Sequence, residues 1–302
     1  MPKAVNTSPG EPSIRDPTVR HPNVTAIPAE PVAERRTDRL NRACDDLKSY
    51  DNRADTALIL GTGLADMAGQ VCDAESVAFS DIPGFPVSDV AFHPGRLVFG
   101  RWMTDICVLQ GRYHLYEGHS FADVVFPVDV LAALGVKQVI MTHAAGGIRP
   151  HLHSGTLACL TDQINLTGSL FTDLQGYTGF TDMSAAFDLN LRDCAERAAR
   201  KTGAMLHPAV LAGITGPALP TEAEIRMYRR MGADIIGMSV VPEVARARQL
   251  GMRVLGLTLV TDQSLPGAMQ NVTAKDVKQV AEMQRPVLTQ LIQHILTEIK
   301  AL

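Results

Sequence analysis

Short apolar runs that end abruptly in glycine constrain this chain more than any other feature. Thr56-Ala-Leu-Ile-Leu60 gives way at once to Gly61-Thr62-Gly63, the pattern of a buried strand leaving into a tight turn. The pattern recurs. Residues 95–100 and 105–109 read as two strands joined by a turn, 137–142 as a buried strand stopped by Gly146-Gly147, and 234–238 and 253–260 as two more. Helical signals fall between and around them. Residues 126–134 carry helical spacing. Thr221, with Glu224 three residues on, has the form of a capping box and opens a helix that ends near Gly232. Pro242 suits the first turn of a helix running to Gly251. From Thr273 onward, Val277, Val280, Val287, Leu288, Leu291, Ile295 and Ile299 recur at helix-like intervals, with a kink or break expected at Pro286. This alternation predicts a one-domain α/β fold, a sheet with helices on both faces.

Composition narrows the class. The 302 residues are 46% hydrophobic and 20% charged, as in an ordinary globule able to build one core. A net charge of −4 gives no reason to expect nucleic acid or an anionic membrane as partner. No apolar run approaches the roughly 20 residues that span a bilayer. The Met1 end lacks the basic-then-apolar order of a secretory signal, so a cytoplasmic location is expected. Residues 1–33 are rich in Pro, Ser, Thr and Asn without an apolar period, which predicts a flexible tail or a segment packed across a subunit interface. The folded domain is then 34–302, its first, charged helix starting at about Val32. Five cysteines with no C-x-x-C pair predict small buried thiols rather than disulfides or zinc ligands.

Three segments carry polar groups at predicted strand ends. The backbone N–H groups of Gly61-Thr62-Gly63 and the Thr62 hydroxyl suit an anion, although a plain strand-to-helix turn needs the same glycines. It is no dinucleotide fingerprint, because Asp66 stands where the third glycine belongs. Arg112-Tyr-His114 follows an apolar strand, where α/β folds place ligand groups, and an arginine fork suits phosphate. His114 shares the face of Arg112 if strand pairing persists. Taken alone, the pair also fits a surface arginine and a satisfied core histidine. Ser239, after Gly237-Met238, adds a hydroxyl at another strand end.

Six motifs occur in order between Ala57 and Leu302. They are Leu58-Ile-Leu-Gly-Thr-Gly-Leu64, Gln110-Gly-Arg-Tyr-His-Leu-Tyr-Glu-Gly118, Thr142-His-Ala-Ala-Gly-Gly147, Gly216-Pro-Ala-Leu-Pro-Thr-Glu-Ala-Glu224, Gly237-Met-Ser-Val-Val-Pro-Glu-Val244 and Leu257-Thr-Leu-Val-Thr-Asp262. Together they make the chain resemble the trimeric purine nucleoside phosphorylases and their methylthioadenosine phosphorylase relatives. The resemblance implies a single-domain mixed central sheet, a homotrimer, and inorganic phosphate as co-substrate with neither metal nor organic cofactor. It implies that Thr62, Arg112, His114, the Ala144 backbone N–H and Ser239 bind phosphate. Tyr116 and Met238 would hold the sugar. His93 would sit near the sugar 5′ end and the phosphate, with Phe92 and Pro94 beside it as departures from the family's Gly-His-Ala-Gly. Phe180 resembles an aromatic that reaches the sugar from a neighbouring subunit. Leu219, Pro220 and Asp262 would meet the base, and Asp262, His114 and His93 would form the catalytic set.

Two departures bear on substrate. Where the family reads guanine and hypoxanthine with a glutamate and an asparagine, this chain has Pro220 and Asp262. Proline offers neither a side-chain acceptor nor a backbone donor, so discrimination for those bases is lost. An aspartate resembles relatives acting on methylthioadenosine and adenosine: it accepts from a 6-amino group and, when protonated, donates to N7. Val272, after a shortened loop around Pro266-Gly267, falls where the family histidine meets the 5′-hydroxyl. An apolar residue there suits a 5′-deoxy or 5′-alkylthio group, unless Val272 merely starts the terminal helix. The expectation is phosphorolysis of purine nucleosides to free base and (deoxy)ribose 1-phosphate, leaning to adenine nucleosides. Inosine/guanosine specificity, a nucleosidase using water, and a catalytically weak nucleoside-binding homologue are the alternatives.

Overall fold

The structure, a computed structural model, describes residues 32–50, 53–86, 94–168, 170, 179–269 and 271–301. The expected tail lies outside them up to residue 31. Nine strands are present among the described residues: β1 (Thr56–Ile59), β2 (Cys72–Ala78), β3 (Arg96–Trp102), β4 (Thr104–Gln110), β5 (Gln138–Gly147), β6 (Leu157–Leu166), β7 (Leu206–Ile214), β8 (Ile235–Gly237) and β9 (Arg253–Gln263). The helices are α1 (Val32–Leu47), α2 (Phe121–Ala133), α3 (Leu189–Thr202), α4 (Glu222–Arg230), α5 (Val241–Gln249) and α6 (Ala274–Lys300).

The strands form one mixed sheet in the order β2-β3-β4-β1-β5-β8-β7-β6-β9, with a further β5–β9 pairing. β1 lies parallel to both β4 and β5, whereas β2, β3 and β4 form an antiparallel meander. Because β9 pairs with both β6 and β5, the strands β5-β8-β7-β6-β9 close on themselves. The closing point is Gly146-Gly147. The strand ends at Gly147, where the sequence predicted its stop, but it runs past Thr142 to include both glycines, which pair with Ile236 and Ile235 of β8. A Cβ on Gly147 would stand 1.9 Å from the Leu152 carbonyl oxygen, so no other residue fits that approach.

Alternating residues of the central strands feed two cores, as the period of two requires. Ala57, Ile59, Cys107, Leu109, Val139 and Met141 pack with α1, α2 and α5. Leu58, Ile106, Val108 and Ile140 pack with α3 and α6. Burial on both faces explains why these strands read as continuous apolar runs rather than alternating ones. The charged α1 docks through its arginines. Asp129 of α2, 2% exposed, is bridged by Arg36 of α1 and by Arg246 of α5, whose Nε is 2.6 Å away. Arg39 donates to Asp123 at 2.7 Å and lies over the Phe126 ring at 4.0 Å.

Two expectations need correcting. α6 runs through Pro286 without a break: the proline faces solvent, where water can take the unpaired carbonyl one turn back, while buried Val280, Leu288, Leu291 and Ile295 hold the helix down. Of the cysteines, Cys107, Cys159 and Cys194 are buried and Cys44 is half-buried, but Cys72 is exposed, because β2 is an edge strand. No helix among the described residues is long and apolar enough to cross a membrane.

Candidate active site

The site is built from the ends of β1, β4, β5, β8 and β9. Thr142 on β5 stitches the first of them in place: its Oγ1 accepts from the Gly61 N–H and donates to the Ile59 carbonyl, both at 3.1 Å. Any Cβ on Gly61 would lie 2.8 Å from His143 Cα and from the Thr142 carbonyl oxygen. The turn is thereby pressed against β5, and Thr62 is carried into a cavity of about 520 Å³.

Arg112 lines the same cavity and is only 3% exposed. Its Nη1 donates to the Thr142 carbonyl at 2.8 Å and reaches Ser239 Oγ at 3.4 Å. Its Nε lies 3.4 Å from Glu243 Oε1, an ion-pair distance without hydrogen-bond geometry. Nε and Nη2 have no hydrogen-bond partner among the described residues. Buried donors left in this state cost free energy until an acceptor arrives, so the guanidinium is set to receive an anion.

β4 ends at Gln110, so Arg112 and His114 do not share a strand face as expected. A short 3-10 turn, Leu115–Glu117, brings them to the cavity instead. His114 caps it, with its backbone N–H and its Nδ1 both 2.8 Å from Glu117 Oε1. The His114 ring stacks on Tyr116 with centroids 4.6 Å apart. Burial, helped by the Glu117 charge, pushes the Tyr116 phenol up to about 12, so its hydroxyl remains a donor at neutral pH.

Ser239 sits in a tight turn between β8 and α5. The Val241 N–H donates to the Ser239 carbonyl at 2.6 Å across Val240, which has φ 46° and ψ −37°. A β-branched residue at positive φ is strained, and such strain collects where function needs a side chain aimed. At the β9 end, Asp262 is half-buried. Desolvation raises its pKa, partly opposed by hydrogen bonds from Thr261 at 3.1 Å and Ser264 at 3.4 Å. Its Oδ2 faces Gly146, where a Cβ would stand 2.9 Å away.

Eleven of the thirteen sequence-selected residues line this one cavity. They are Thr62, Arg112, His114, Ala144 and Ser239 from the phosphate set, Tyr116 and Met238 from the sugar set, and Leu219, Pro220, Asp262 and Val272. His93 lies outside the described residues. Phe180 is 96% exposed and does not line the cavity. Sequence reading missed Ser264 and Thr261, which flank Asp262 and bond its carboxylate; their nearness to it in the chain was the available signal. It also missed Thr273, Ala274 and Val277 at the start of α6, which form part of the wall. No cluster of three or more His, Cys, Asp or Glu side chains suited to a metal occurs among the described residues.

Buried arginine, hydroxyls and a carboxylate around one cleft at converging strand ends define a class: an enzyme-like pocket for an anion together with a polar organic partner. The Phosphorylase superfamily profile matches residues 55–297. The chain is 37% identical over 267 residues to Purine nucleoside phosphorylase 1 of Bacillus subtilis (strain 168), covering 86% of this chain and 98% of that one. It is 43% identical over 230 residues to Purine nucleoside phosphorylase 1 of Geobacillus stearothermophilus, covering 74% and 84%. The Schistosoma mansoni purine nucleoside phosphorylase in complex with adenosine matches with a TM-score of 0.80 and 31% identity, covering 86% of this chain and 96% of that one. The chain belongs to the phosphorylase superfamily and, within it, to the purine nucleoside phosphorylases.

Proposed function

We propose that this chain cleaves purine nucleosides by phosphorolysis, yielding free base and (deoxy)ribose 1-phosphate, and that it favours 6-amino purines. The observation that carries the reaction class is Arg112: buried, with Nη2 lacking an acceptor, beside Ser239 and in one cavity with Thr62 and His114. A phosphate oxygen held there attacks C1′ as the C1′–N9 bond loosens. The phosphate anion stabilises the positive charge that develops on the sugar, so the protein contributes orientation and fixed charge. Electrons of the breaking bond pass into the purine, and a protonated Asp262 donates to N7 as the base leaves. No cofactor enters these steps. A nucleosidase using water would have no need of a buried arginine fork.

Base preference rests on Pro220 and Asp262, both in the cavity wall. Pro220 supplies no acceptor for N1–H or a 2-amino group, and the raised pKa of Asp262 supports a carboxyl that exchanges a proton with the base. Val272 on the same wall suits a 5′-deoxy or 5′-methylthio substituent. The second reading, inosine or guanosine, is favoured by the relatives' names and by a schistosome purine nucleoside phosphorylase crystallised with hypoxanthine. The near-complete exposure of Phe180 supports its role as a side chain given to a neighbouring subunit of a trimer. His93 is assigned beside the sugar 5′ end on the family resemblance.

The test is an equimolar mixture of inosine, adenosine and 5′-methylthioadenosine, with and without phosphate, assayed for released bases. Phosphate-dependent adenine release with little hypoxanthine supports the proposal. Predominant hypoxanthine overturns the base preference and keeps the reaction class. Base release without phosphate overturns the class.

A further inference from the structure

Behind the anion-receiving arginine lies a second buried charge. Glu243 is the third residue of α5, 3% exposed, and is not part of the cavity wall. Its Oε1 stands 3.4 Å from Arg112 Nε, and its Oε2 has no hydrogen-bond partner among the described residues. A carboxylate buried for structural reasons normally fills its lone pairs. This one does not. The pairing is off-line on the Nε side, while Nη1 is committed to the Thr142 carbonyl and Ser239. Nη2 is thus left without a hydrogen bond among the described residues.

We propose that Glu243 is a positioning residue with an electrostatic task. It holds the guanidinium from behind and subtracts from the positive potential of the anion site, so that phosphate binds and the sugar phosphate can leave. A bare buried arginine would grip both anions more tightly, since a unit charge a few ångströms away in a poorly solvated site acts strongly. Tighter binding of substrate and product alike does not raise turnover. The carboxylate therefore trades anion affinity for release. Its position in the first turn of α5 keeps it fixed by the same helix that follows the strained Ser239–Val241 turn. The inference rests on Arg112 receiving phosphate.

The test is Glu243→Gln, which keeps the shape and removes the charge. Expected are a phosphate KM lower by roughly three- to tenfold, stronger inhibition by ribose 1-phosphate, a lower kcat, and an unchanged KM for the nucleoside. Phosphate should also raise the Tm of this variant more than that of the parent, a measurement that needs no turnover. A phosphate KM that is unchanged or raised overturns the proposal, as does a phosphate-induced Tm shift no larger than the parent's. Glu243→Asp retains the charge, and should keep the parent's phosphate KM within about twofold; a fall like that of the glutamine variant would also overturn the idea. Arg112→Lys separates the two layers: if it leaves the phosphate KM untouched, the phosphate reading of Arg112 has failed, rather than the role of Glu243.

Discussion

Asp262 carries two opposing demands at one carboxyl. Burial holds its pKa above the ordinary carboxylate value, so the folded chain binds this proton more tightly than the unfolded chain does. Stability from this group is present in acid and is lost as pH rises through the raised pKa. Asp262→Asn should therefore raise the Tm of the ligand-free protein at pH 7, and the gain should shrink as pH falls towards the ordinary carboxylate range; a scanning-calorimetry pH series checks this. The same variant should lower kcat on adenosine by roughly 10²-fold, the scale of lost proton transfer. Pro220 tests the base preference from the other side. Pro220→Glu restores an acceptor in the cavity wall and should raise kcat/KM for inosine relative to adenosine by about tenfold or more, read from competing-substrate assays.

At the scale of elements, α6 links stability to the site. Its N-cap is a reciprocal box: the Asp276 N–H donates to Thr273 Oγ1 at 3.3 Å, and Asp276 Oδ2 accepts from the Thr273 N–H at 2.9 Å. Thr273, Ala274 and Val277 then line the cavity. Thr273→Ala should cost about 1 kcal/mol, measured by urea denaturation, and raise the nucleoside KM several-fold as this wall loosens. Helices with such caps were legible from the chain, as Thr221 with Glu224 shows for α4. β2, β6, β7 and α3 were not. β2 is an edge strand whose residues are mostly exposed, so no apolar run marks it. β6 carries Asp162, Gln163 and Asn165 in its second half, and β7 contains Pro208, which weakens a strand reading.

At the scale of the molecule, Phe180 is 96% exposed. If it completes a neighbour's sugar site, Phe180→Ala should lower kcat/KM for the nucleoside by about tenfold, the loss of one aromatic anchor. The Tm of the protein should barely change. Sedimentation equilibrium should give three times the chain mass for the parent. A tenfold loss in a protein that sediments as a monomer would refute the shared site.

The sequence by itself determined the alternation of strands and helices, the motif set that marks the family, and the residue types of the site, including the unusual Pro220 and Asp262. Those are local properties: short apolar runs, glycine turns and caps act over a few residues. What only the tertiary structure decided is the closure of β5-β8-β7-β6-β9 and the meeting of eleven distant side chains in one cavity. It also decided the burial of Arg112 against Glu243, 131 positions apart in the numbering. The reason is physical. Desolvation and charge pairing depend on distance in space, and a strand's partners are set by which surfaces can be buried together, neither of which spacing along the chain encodes.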